Sequence, residues 1–428
     1  MRSNNKIDVL IFFTLLNREL KSAVKIAKLL SEKYSISCKI GSLIFHYPSM
    51  LKYRPKLIVF PTLYDNAVEV DLRPFLMRNS QIKVLNLHQE QKTNPVNEFF
   101  LFQKLTSLNN FYHAVWGKSR AEKLKKIAKI DKKYIFVTGN QRLDFLFEKS
   151  SISKKDLSVE FNLSLNKKWL LYVHDFLPEN ENFTGLKLYK QKTSITKEFR
   201  ILSGQSKKKI IQILNMIAEK FKDSFELIYR LHPGQNITIA DLHPNIKIIS
   251  SHAIDVWLKN VDVVFGWNSL GLIESSLIKK PTFRLLPLEM PKDLDFKLLN
   301  YVPILKTSAE VISCVNNINA KSIFKGSKEY RHELNKYFSN YEKGNACEKT
   351  AAAIDHILKY GEPVYYKSSL AFSKRYLYGL ARTRSKFCIM IGELLKKLNL
   401  IEVLHFPRTY INCANDYITI DEIEKLLQ

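Results

Sequence analysis

Two short stretches in the second half of the chain carry side chains suited to binding a phosphorylated ligand. In residues 229–234 (YRLHPG), Arg230 and His232 follow an apolar run. An arginine offers a fork of donors to phosphate oxygens, and a histidine offers one more donor. Pro233 fixes the turn directly after the histidine. The same stretch is also compatible with a strand that happens to stop at a proline.

The second stretch, residues 266–274 (GWNSLGLIE), follows another apolar run and is typical of the start of a helix. Asn268 or Ser269 would cap that helix, and its free N–H groups would form an anion site. Gly271 would let a ligand approach the backbone closely. Glu274, one turn further on, could accept hydrogen bonds from two ribose hydroxyls. An ordinary capped helix with a surface glutamate is the alternative, but the two stretches together favour a bound nucleotide.

Polar side chains also follow two other predicted strands. His174 and Asp175 come directly after an apolar run and could meet the phosphate or the sugar of a donor. In the first half of the chain, His88 and Glu90 follow a similar run. Transfer to a hydroxyl group requires a carboxylate or a histidine within hydrogen-bond reach of that hydroxyl. Glu90 is therefore the first candidate for a general base and His88 the second, although both could be loop residues that bond backbone groups.

The sequence offers no clear pattern for a metal or a prosthetic group. Asp293-Leu294-Asp295 matches the Asp-x-Asp pattern of metal-dependent transferases, but it follows a proline in a loop with no strand before it. We therefore expect a solvated loop and no metal. The five cysteines show no CxxC spacing, which argues against zinc and against a disulfide framework. No cofactor is expected apart from the nucleotide-linked substrate.

Short apolar runs alternate with helical patterns along most of the chain. Strands that are apolar throughout and separated by helices indicate parallel sheets covered on both faces, with ligands outside the carboxyl ends of the strands. We predict two Rossmann-like, doubly wound α/β domains that face a cleft, at residues 1–150 and 168–360, joined by polar residues 150–168. The predicted strands are 9–13, 56–60, 82–87, 114–117 and 135–138 in the first domain, and 169–173, 225–229, 246–249 and 261–265 in the second.

Residues 361–428 form a C-terminal extension of different character. Between Lys367 and Lys397 it carries eight basic residues and a single acid, Glu393, with apolar residues interleaved. This basic amphipathic helical pattern suits contact with an anionic membrane surface. The alternative is a helix that packs against the N-terminal domain and keeps its basic side in solvent.

The charge balance favours anionic partners. The chain has 67 Lys and Arg against 41 Asp and Glu, a formal charge of +26, part of which a lysine-rich proteome would explain. No zinc-finger spacing or aromatic RNA-binding stretch supports a nucleic-acid partner. The apolar run from Val9 to Leu16 ends at Arg18 and Glu19, which favours a buried strand over a signal peptide. No run reaches the ~18 apolar residues of a membrane helix. We expect a cytoplasmic protein, peripheral on the inner face of the inner membrane.

Four short stretches together resemble one family. YRLHPG and NSLGLIESSLIKKP (268–281), separated by a strand, are similar to the nucleotide domain of GT-B glycosyltransferases of the bacterial capsule and surface-carbohydrate type. NLHQEQ (86–91) and VTGNQRLD (137–144) are similar to stretches of the surface-carbohydrate group. The resemblance runs from about residue 6 to residue 360. It implies a GT-B fold with the acceptor on the N-terminal domain.

The resemblance also implies roles for particular residues. His232 and Ser269 would contact the donor phosphate, and Glu274 would hold the ribose. Related transferases with an HP motif use CMP-activated acids such as sialic acid or Kdo, which implies a CMP-linked donor and a glycan or lipid-linked acceptor. Asp144 is expected to pair with Arg142 and to order the loop before it.

Two stretches depart from the family pattern. KKP at 279–281 stands where a small residue and a glycine would precede the proline, and VHDF at 173–176 stands where relatives carry Thr-Asn-Phe. An enzyme of the same fold that transfers a polyol phosphate from a CDP-linked donor, as in teichoic-acid-type polymerases, also carries an RxHP motif and stays open. A basic nucleic-acid-binding protein is the non-enzymatic alternative. The residues leave the sugar, the linkage and the stereochemical outcome open.

Overall fold

The chain folds into two units of mixed α/β structure, seen in a computed structural model. The structure describes residues 5–43, 49, 52–63, 72–89, 105, 108, 110–176, 194–231, 242–318, 326–365 and 420–427. The strands are β1 (Lys6–Phe13), β2 (Cys38–Ser42), β3 (Arg54–Phe60), β4 (Lys83–Asn86), β5 (Tyr112–Val115), β6 (Ile135–Val137), β7 (Lys168–Val173), β8 (Phe225–Arg230), β9 (Ile246–Ile249), β10 (Val263–Gly266), β11 (Thr282–Leu285) and β12 (Ile304–Leu305). The helices are α1 (Lys21–Tyr34), α2 (Arg73–Leu76), α3 (Lys118–Lys126), α4 (Asp144–Phe147), α5 (Lys154–Phe161), α6 (Ser194–Lys220), α7 (Ile254–Asn260), α8 (Leu270–Leu277), α9 (Ser308–Asn316), α10 (Lys328–Tyr337), α11 (Ala346–Tyr360) and α12 (Ile420–Leu427).

The first unit comprises residues 1–92, 98–145 and 334–428. Its six parallel strands lie in the order β2-β1-β3-β4-β5-β6. From Val9 to Phe13 each residue of β1 is at most 1 % exposed, because helices and loops cover both faces of the sheet. Helix α1 buries Ala23, Ile26 and Leu30 against it, a spacing that places them on one helical face.

The second unit comprises residues 93–97 and 146–333. Its six parallel strands lie in the order β12-β11-β10-β7-β8-β9. Counted from β7, this is the strand order typical of a Rossmann fold. Strands β7 and β10 are neighbours although two strands lie between them in the chain, so the direction of strand addition reverses there. Such a reversal leaves a crevice at the carboxyl ends of the two strands, where ligands of open α/β sheets bind.

A segment that follows the second unit in the chain returns to the first. The Trp116 ring stacks on Phe338 with centroids 5.6 Å apart, and the Ser339 N–H donates to the Trp116 carbonyl at 2.8 Å. Helix α11 packs on α1, and the Lys83 ammonium donates to two carbonyls in its last turn. The expected domain boundary at residue 360 therefore has to be corrected to about residue 333. The apolar stripe of α11 would fit the face of either sheet, so its periodicity could not tell which one it covers.

Each of the nine strands predicted from the sequence has a counterpart in the structure, shifted by three residues or fewer at its ends. Three strands were missed: β2, β11 and β12. The first two are short and carry polar residues, and β12 has two residues. The expected connection at 150–168 contains helix α5, which starts with a capping box between Ser153 and Asp156. The predicted amphipathic pattern between Lys367 and Lys397 lies outside the described residues.

Candidate functional site

The crevice of the second unit lies between the ends of β7 and β10. Val173 and Gly266 are the last paired residues of these strands. Two residues further along each strand stand Asp175 and Asn268, and the Asn268 N–H donates to Asp175 Oδ2 at 2.5 Å. The two strand ends are therefore joined by a carboxyl group at the point where the Rossmann topology predicts a ligand.

Ser269 confirms the helix start expected from the sequence. It is the N-cap of α8, and its Oγ accepts a hydrogen bond from the Gly271 N–H at 3.2 Å. The next free N–H groups at this end of α8 carry the positive end of the helix dipole. A helix start that could bind an anion thus adjoins the Asp175 carboxyl group.

The Asp175 carboxyl group sits in a poorly solvated place. Part of the residue is exposed, but Oδ1 is buried and has no hydrogen-bond partner among the described residues. Burial raises the pKa of Asp175 to about 7, which the Asn268 N–H and the Arg284 charge partly counteract. Near neutral pH this group therefore exists in both protonation states.

Arg284 lies under the loop that follows β10. Its side chain is fully buried, and Nε donates to the Trp267 carbonyl at 2.9 Å. Its other donors reach Asp295 and Asn300. The guanidinium group thus holds the loop that presents Asn268, and its charge is matched by the Asp295 carboxylate.

Asp295 corrects one expectation. The Asp-x-Asp stretch was expected to be solvated, whereas Asp295 is 9 % exposed and paired with Arg284, and Asp293 alone is exposed. The sequence concealed this because the partner lies on β11, an unpredicted strand with an arginine inside it. Within the described part of the chain, no three His, Cys, Asp or Glu side chains gather as metal ligands would.

Arg230 and His174 also lie at strand ends of this sheet. Arg230 Nη2 donates to the His252 carbonyl at 2.8 Å, so the guanidinium group braces the turn before α7. His174 Nδ1 and the Tyr229 hydroxyl lie 2.5 Å apart. His232, the predicted phosphate donor, lies outside the described residues.

Gly271 and Glu274 lie on α8 as expected, but both are buried. A Cβ at Gly271 would lie 2.8 Å from Ile254 Cδ1 and 3.4 Å from Val173 Cγ1, so the end of the Ile254 side chain would have to shift to admit one. Close approach of a ligand to the Gly271 backbone stays a prediction. Glu274 is buried at 6 % exposure, not on the surface.

Lys280 accounts for one departure from the family pattern. Its ammonium group donates to the carbonyls of Lys259 and Val261 at 3.2 and 2.6 Å, which ties the end of α7 to the turn after α8. Lys279 adopts a positive φ of 60°, the conformation for which glycine is preferred. At the position expected for glycine, Lys280 therefore bonds two carbonyls of the neighbouring helix end.

In the first unit, His88 belongs to a buried chain of hydrogen bonds. Arg120 Nη2 approaches His88 Nδ1 at 3.5 Å, His88 Nε2 lies 2.9 Å from His113 Nδ1, and His113 Nε2 lies 3.1 Å from the Leu108 carbonyl. An arginine can donate but not accept, so the proton must sit on Nε2 of each histidine. Both ring nitrogens of His88 are engaged, which leaves none to act as a base in this geometry.

The pKa values of His88 and His113 agree with neutral imidazole rings in this series of hydrogen bonds. Burial holds the pKa of His88 well below its usual value, and Arg120 and His113 lower it further. Burial lowers the pKa of His113 to about 4. Glu90, the first candidate for the base, lies outside the described residues.

The stretches NLHQEQ (86–91) and VTGNQRLD (137–144) contact each other in the first unit. Gln89 Nε2 donates to Gln141 Oε1 at 3.0 Å, and Gln141 Nε2 donates to Thr350 Oγ1 at 2.7 Å. The loop that leads to Glu90 is therefore tied through Gln141 to helix α11.

Asp144 caps the returning helix. Its two carboxylate oxygens accept the Ala346 and Cys347 N–H groups at 2.9 and 2.8 Å, and Lys25 lies 3.7 Å away. Arg142 instead lies over the Trp116 ring at 5.9 Å, so the expected pairing of Asp144 with Arg142 is wrong. A carboxylate at a helix start is stabilised by the same N–H groups and dipole that bind anions. No sequence spacing could have revealed a partner two hundred residues away.

Glu19 is a buried carboxylate that was not predicted from the sequence. Glu19 is 4 % exposed, and its Oε2 accepts the Thr14 N–H at 2.6 Å. Thr14 directly follows β1, which lies between β2 and β3 where the strand order of the first sheet reverses. Glu19 therefore stands beside the crevice position of the first unit. The signal was an acidic residue three positions after the apolar run from Val9 to Leu16, which served only to argue against a signal peptide.

The two parallel sheets define an α/β fold of the GT-B type, and the predicted fold class is confirmed. The wall teichoic acid polymerase TagF is similar: a histidine-to-asparagine variant superposes with a TM-score of 0.55 at 12% identity, over 83% of this chain and 90% of that one. Another TagF structure gives 0.53 at 13% identity over 82% and 89%. UDP-GlcNAc 2-epimerase of Methanocaldococcus jannaschii gives a TM-score of 0.48 at 15% identity, over 81% of this chain and 99% of that one. No family profile and no curated protein matches the chain.

Proposed function

We propose that this chain is a GT-B glycosyltransferase that moves a sugar from a nucleotide donor to a glycan or lipid-linked acceptor of a bacterial surface polysaccharide. The observation that carries the proposal is the arrangement at the β7–β10 crevice. A capped helix start, a carboxyl group and buried polar side chains converge there on the position at which Rossmann sheets bind nucleotides.

The proposed donor site uses the second unit. The N–H groups at the start of α8, with Ser269, Arg230 and His232, bind the phosphate, and Glu274 binds the ribose. These groups balance the charge that develops on the phosphate when its bond to the sugar breaks. The fold likeness to a teichoic acid polymerase and the resemblance of the HP motif support a cytidine nucleotide, with a CMP-linked acid sugar as the first choice.

The proposed base is on the first unit. Glu90 takes the proton of the acceptor hydroxyl as that oxygen bonds to the anomeric carbon, and the electron pair of the broken bond leaves with the donor phosphate. His88 is the weaker choice because both of its ring nitrogens are hydrogen-bonded within the protein. No metal enters this scheme, and none is proposed.

A nucleotide panel tests the proposal directly. CMP, CDP, UDP and GDP are titrated into the full chain by calorimetry, and binding of at least one at micromolar to millimolar strength is expected. Ser269→Ala removes the cap and a phosphate contact, so it should weaken that binding. Ser313→Ala, in helix α9 of the same unit, is the control. Failure of all four nucleotides to bind would refute the donor site.

Two variants test the division of roles between the units. His232→Ala should lower turnover by roughly 100-fold, the loss typical of a donor aimed at developing charge. Glu90→Gln should keep nucleotide affinity and lose transfer by about 100- to 10,000-fold. Glu122→Gln, an exposed position on α3, is the control for the second variant. A Glu90 variant that binds nucleotide poorly but still transfers the sugar would show the roles to be misassigned.

Transfer of a polyol phosphate is the second candidate function. It is favoured by one finding, the likeness in fold to TagF, of which two structures include CDPG. The two candidates differ in the bond that breaks, because a polyol-phosphate transferase leaves CMP after cleaving the pyrophosphate of its donor. Incubation with CDP-glycerol and, separately, with CMP-sialic acid or CMP-Kdo discriminates between them by which donor releases CMP in the presence of acceptor glycan.

A further inference from the structure

The Asp175 carboxyl group has a feature that the proposed function leaves unexplained. It is an acid placed beside a helix start that is suited to anions. An ionised carboxylate there would repel a donor phosphate, since like charges a few ångströms apart destabilise each other. The geometry around its two oxygens shows how this conflict is resolved.

The two carboxyl oxygens have different surroundings. Oδ2 accepts the Asn268 N–H at 2.5 Å. Oδ1 is buried and makes no hydrogen bond within the described residues, and the same holds for Asn268 Oδ1 and for the Tyr172 hydroxyl. Buried polar atoms in a folded protein are normally hydrogen-bonded, so Oδ1 is the atom left for a ligand.

The groups that face Asp175 stabilise its charge only in part, through the Asn268 N–H and the Arg284 charge. Tyr172 on β7 and Tyr229 on β8 are buried, and their rings are 5.0 Å apart. Burial raises the pKa of both phenols, and the electrostatic interaction with Asp175 raises it further. Arg284 on β11 is the cation that acts on Asp175, but it is already paired with Asp295. The effect of burial on the pKa of Asp175 is therefore larger than the opposing attraction by Arg284.

We propose that Asp175 is a donor-binding residue that keeps its proton when nucleotide binds and donates a hydrogen bond from Oδ1 to a phosphate oxygen. In that state the residue is uncharged, and it complements the anion instead of repelling it. The phosphate in turn favours the protonated form, because a neighbouring negative charge disfavours ionisation of a carboxylic acid. The proposal rests on the nucleotide site of the proposed function and assigns the ligand atom that Asp175 contacts.

The sign of the pH dependence separates this role from the obvious alternative. The pKa of Asp175 lies at about 7, so the free protein loses this proton as pH rises through neutrality. If the protonated form binds phosphate, nucleotide affinity falls over the same range. If an ionised Asp175 instead accepted a hydrogen bond from a sugar hydroxyl, affinity would rise with pH.

The experiment is calorimetric titration of CDP into the full chain at pH 6.5, 7.5 and 8.5, with Asp175→Asn and Asp175→Ala measured in parallel. The wild-type dissociation constant should increase on the order of tenfold across the series. Asp175→Asn keeps a donor and cannot ionise, so its affinity should not follow this trend; it also corrects for titration of the nucleotide itself. Asp175→Ala should bind about tenfold or more weakly at pH 6.5, the loss expected for a hydrogen bond to a charged group.

The outcomes are distinguishable from failure of the proposed function. If neither CDP nor CMP, UDP or GDP binds the wild-type chain, the nucleotide site itself is wrong and this inference falls with it. If nucleotide binds but affinity rises with pH, or if Asp175→Asn shows the same pH trend as the wild type, the inference alone is overturned. Should Asp175→Ala fail to fold, the pH series of the wild type and of Asp175→Asn still show whether protonated Asp175 binds the phosphate. Asp293→Asn, an exposed carboxylate of the same unit, is the control and should match the wild type.

Discussion

Arg284 and Asp295 form a two-bond ion pair inside the second unit, with Nη2 to Oδ1 at 2.6 Å and Nη1 to Oδ2 at 3.2 Å. The guanidinium group is completely buried, and its Nε holds the Trp267 carbonyl. Removal of one partner of a buried pair leaves an uncompensated charge in the interior, which is more costly than removal of both. The pair is therefore a support for the loop of the candidate site.

Asp295→Ala should lower the free energy of unfolding of the second unit by about 3–5 kcal/mol. Asp293→Ala, in the same Asp-x-Asp stretch, should change it by less than about 0.5 kcal/mol, since its side chain is exposed. Urea unfolding followed by tryptophan fluorescence in a Trp116→Phe background reports on this unit. The double variant Arg284→Met with Asp295→Leu should recover much of the loss. Equal effects of the two alanine variants would contradict a buried ion pair.

Asp144→Ala should loosen the returning helix α11 from the first unit. The carboxylate bonds two N–H groups at the start of that helix, and N-cap interactions contribute about 0.5–2 kcal/mol. Hydrogen exchange in α11 should quicken accordingly. Asp355→Ala removes a pair with Lys359 on the same helix, and an exposed pair of this spacing contributes about 0.3–0.5 kcal/mol. Equal acceleration of exchange in both variants would argue against the cap.

The first unit should lose stability as pH falls below neutrality. Burial lowers the pKa of His88 and His113, the latter to about 4, so the unfolded chain binds protons at a pH where the folded chain does not. Stability is therefore fully present above about pH 6.5 and declines toward pH 4, at up to about 1.4 kcal/mol per pH unit for each histidine. Hydrogen exchange of β4 and β5 across this range measures it.

A histidine variant supplies the control for that pH dependence. His113→Gln should destabilise the unit at pH 7 and make the decline shallower, because one titrating group is gone. His356→Gln, at an exposed position on α11, should leave the slope as it is in the wild type. A wild-type slope that persists in the His113 variant would exclude the buried pair as its source.

Membrane attachment through Lys367 to Lys397 is tested by vesicle sedimentation. Each basic residue near an anionic surface contributes about 1 kcal/mol, so the full chain should pellet with anionic vesicles at low salt and be released by high salt. Charge reversal at Arg382, Arg384 and Lys386 should reduce the pelleted fraction. Reversal at Lys118, Lys123 and Lys126 of α3 is the matched control in the same unit. No helix in the described part of the chain is long and apolar enough to span a membrane.

The sheets could be predicted from the sequence because their strands are apolar on both faces. Runs such as Val9 to Phe13 and Trp169 to Val173 have no other stable environment than the middle of a covered sheet. The cap at Ser269 was also predictable, since its signal is local. The start of α8 could therefore be placed at a strand end before any contact was known.

The hydrogen-bond partners of other polar side chains could not be predicted, because the two residues of each pair are not near each other in the sequence. Asp144 contacts Ala346, Asp295 contacts Arg284, and His88 contacts Arg120, none of which is marked by spacing in the sequence. Each polar group looked available for chemistry until its partner was known. Asp175 is the opposite case, because only a minor role was predicted for it from the sequence. Its significance depends on the burial of one carboxyl oxygen, which no sequence pattern indicates.

The return of residues 334–360 to the first unit has a consequence for how the chain matures. During synthesis from the N-terminus, residues 146–333, which supply all six strands of the second sheet, emerge before helix α11. The first unit must meanwhile wait with its Asp144 carboxylate and Lys83 ammonium lacking the helix ends that they bond. Because domains generally fold as units during synthesis, the unit encoded second is expected to complete its core first.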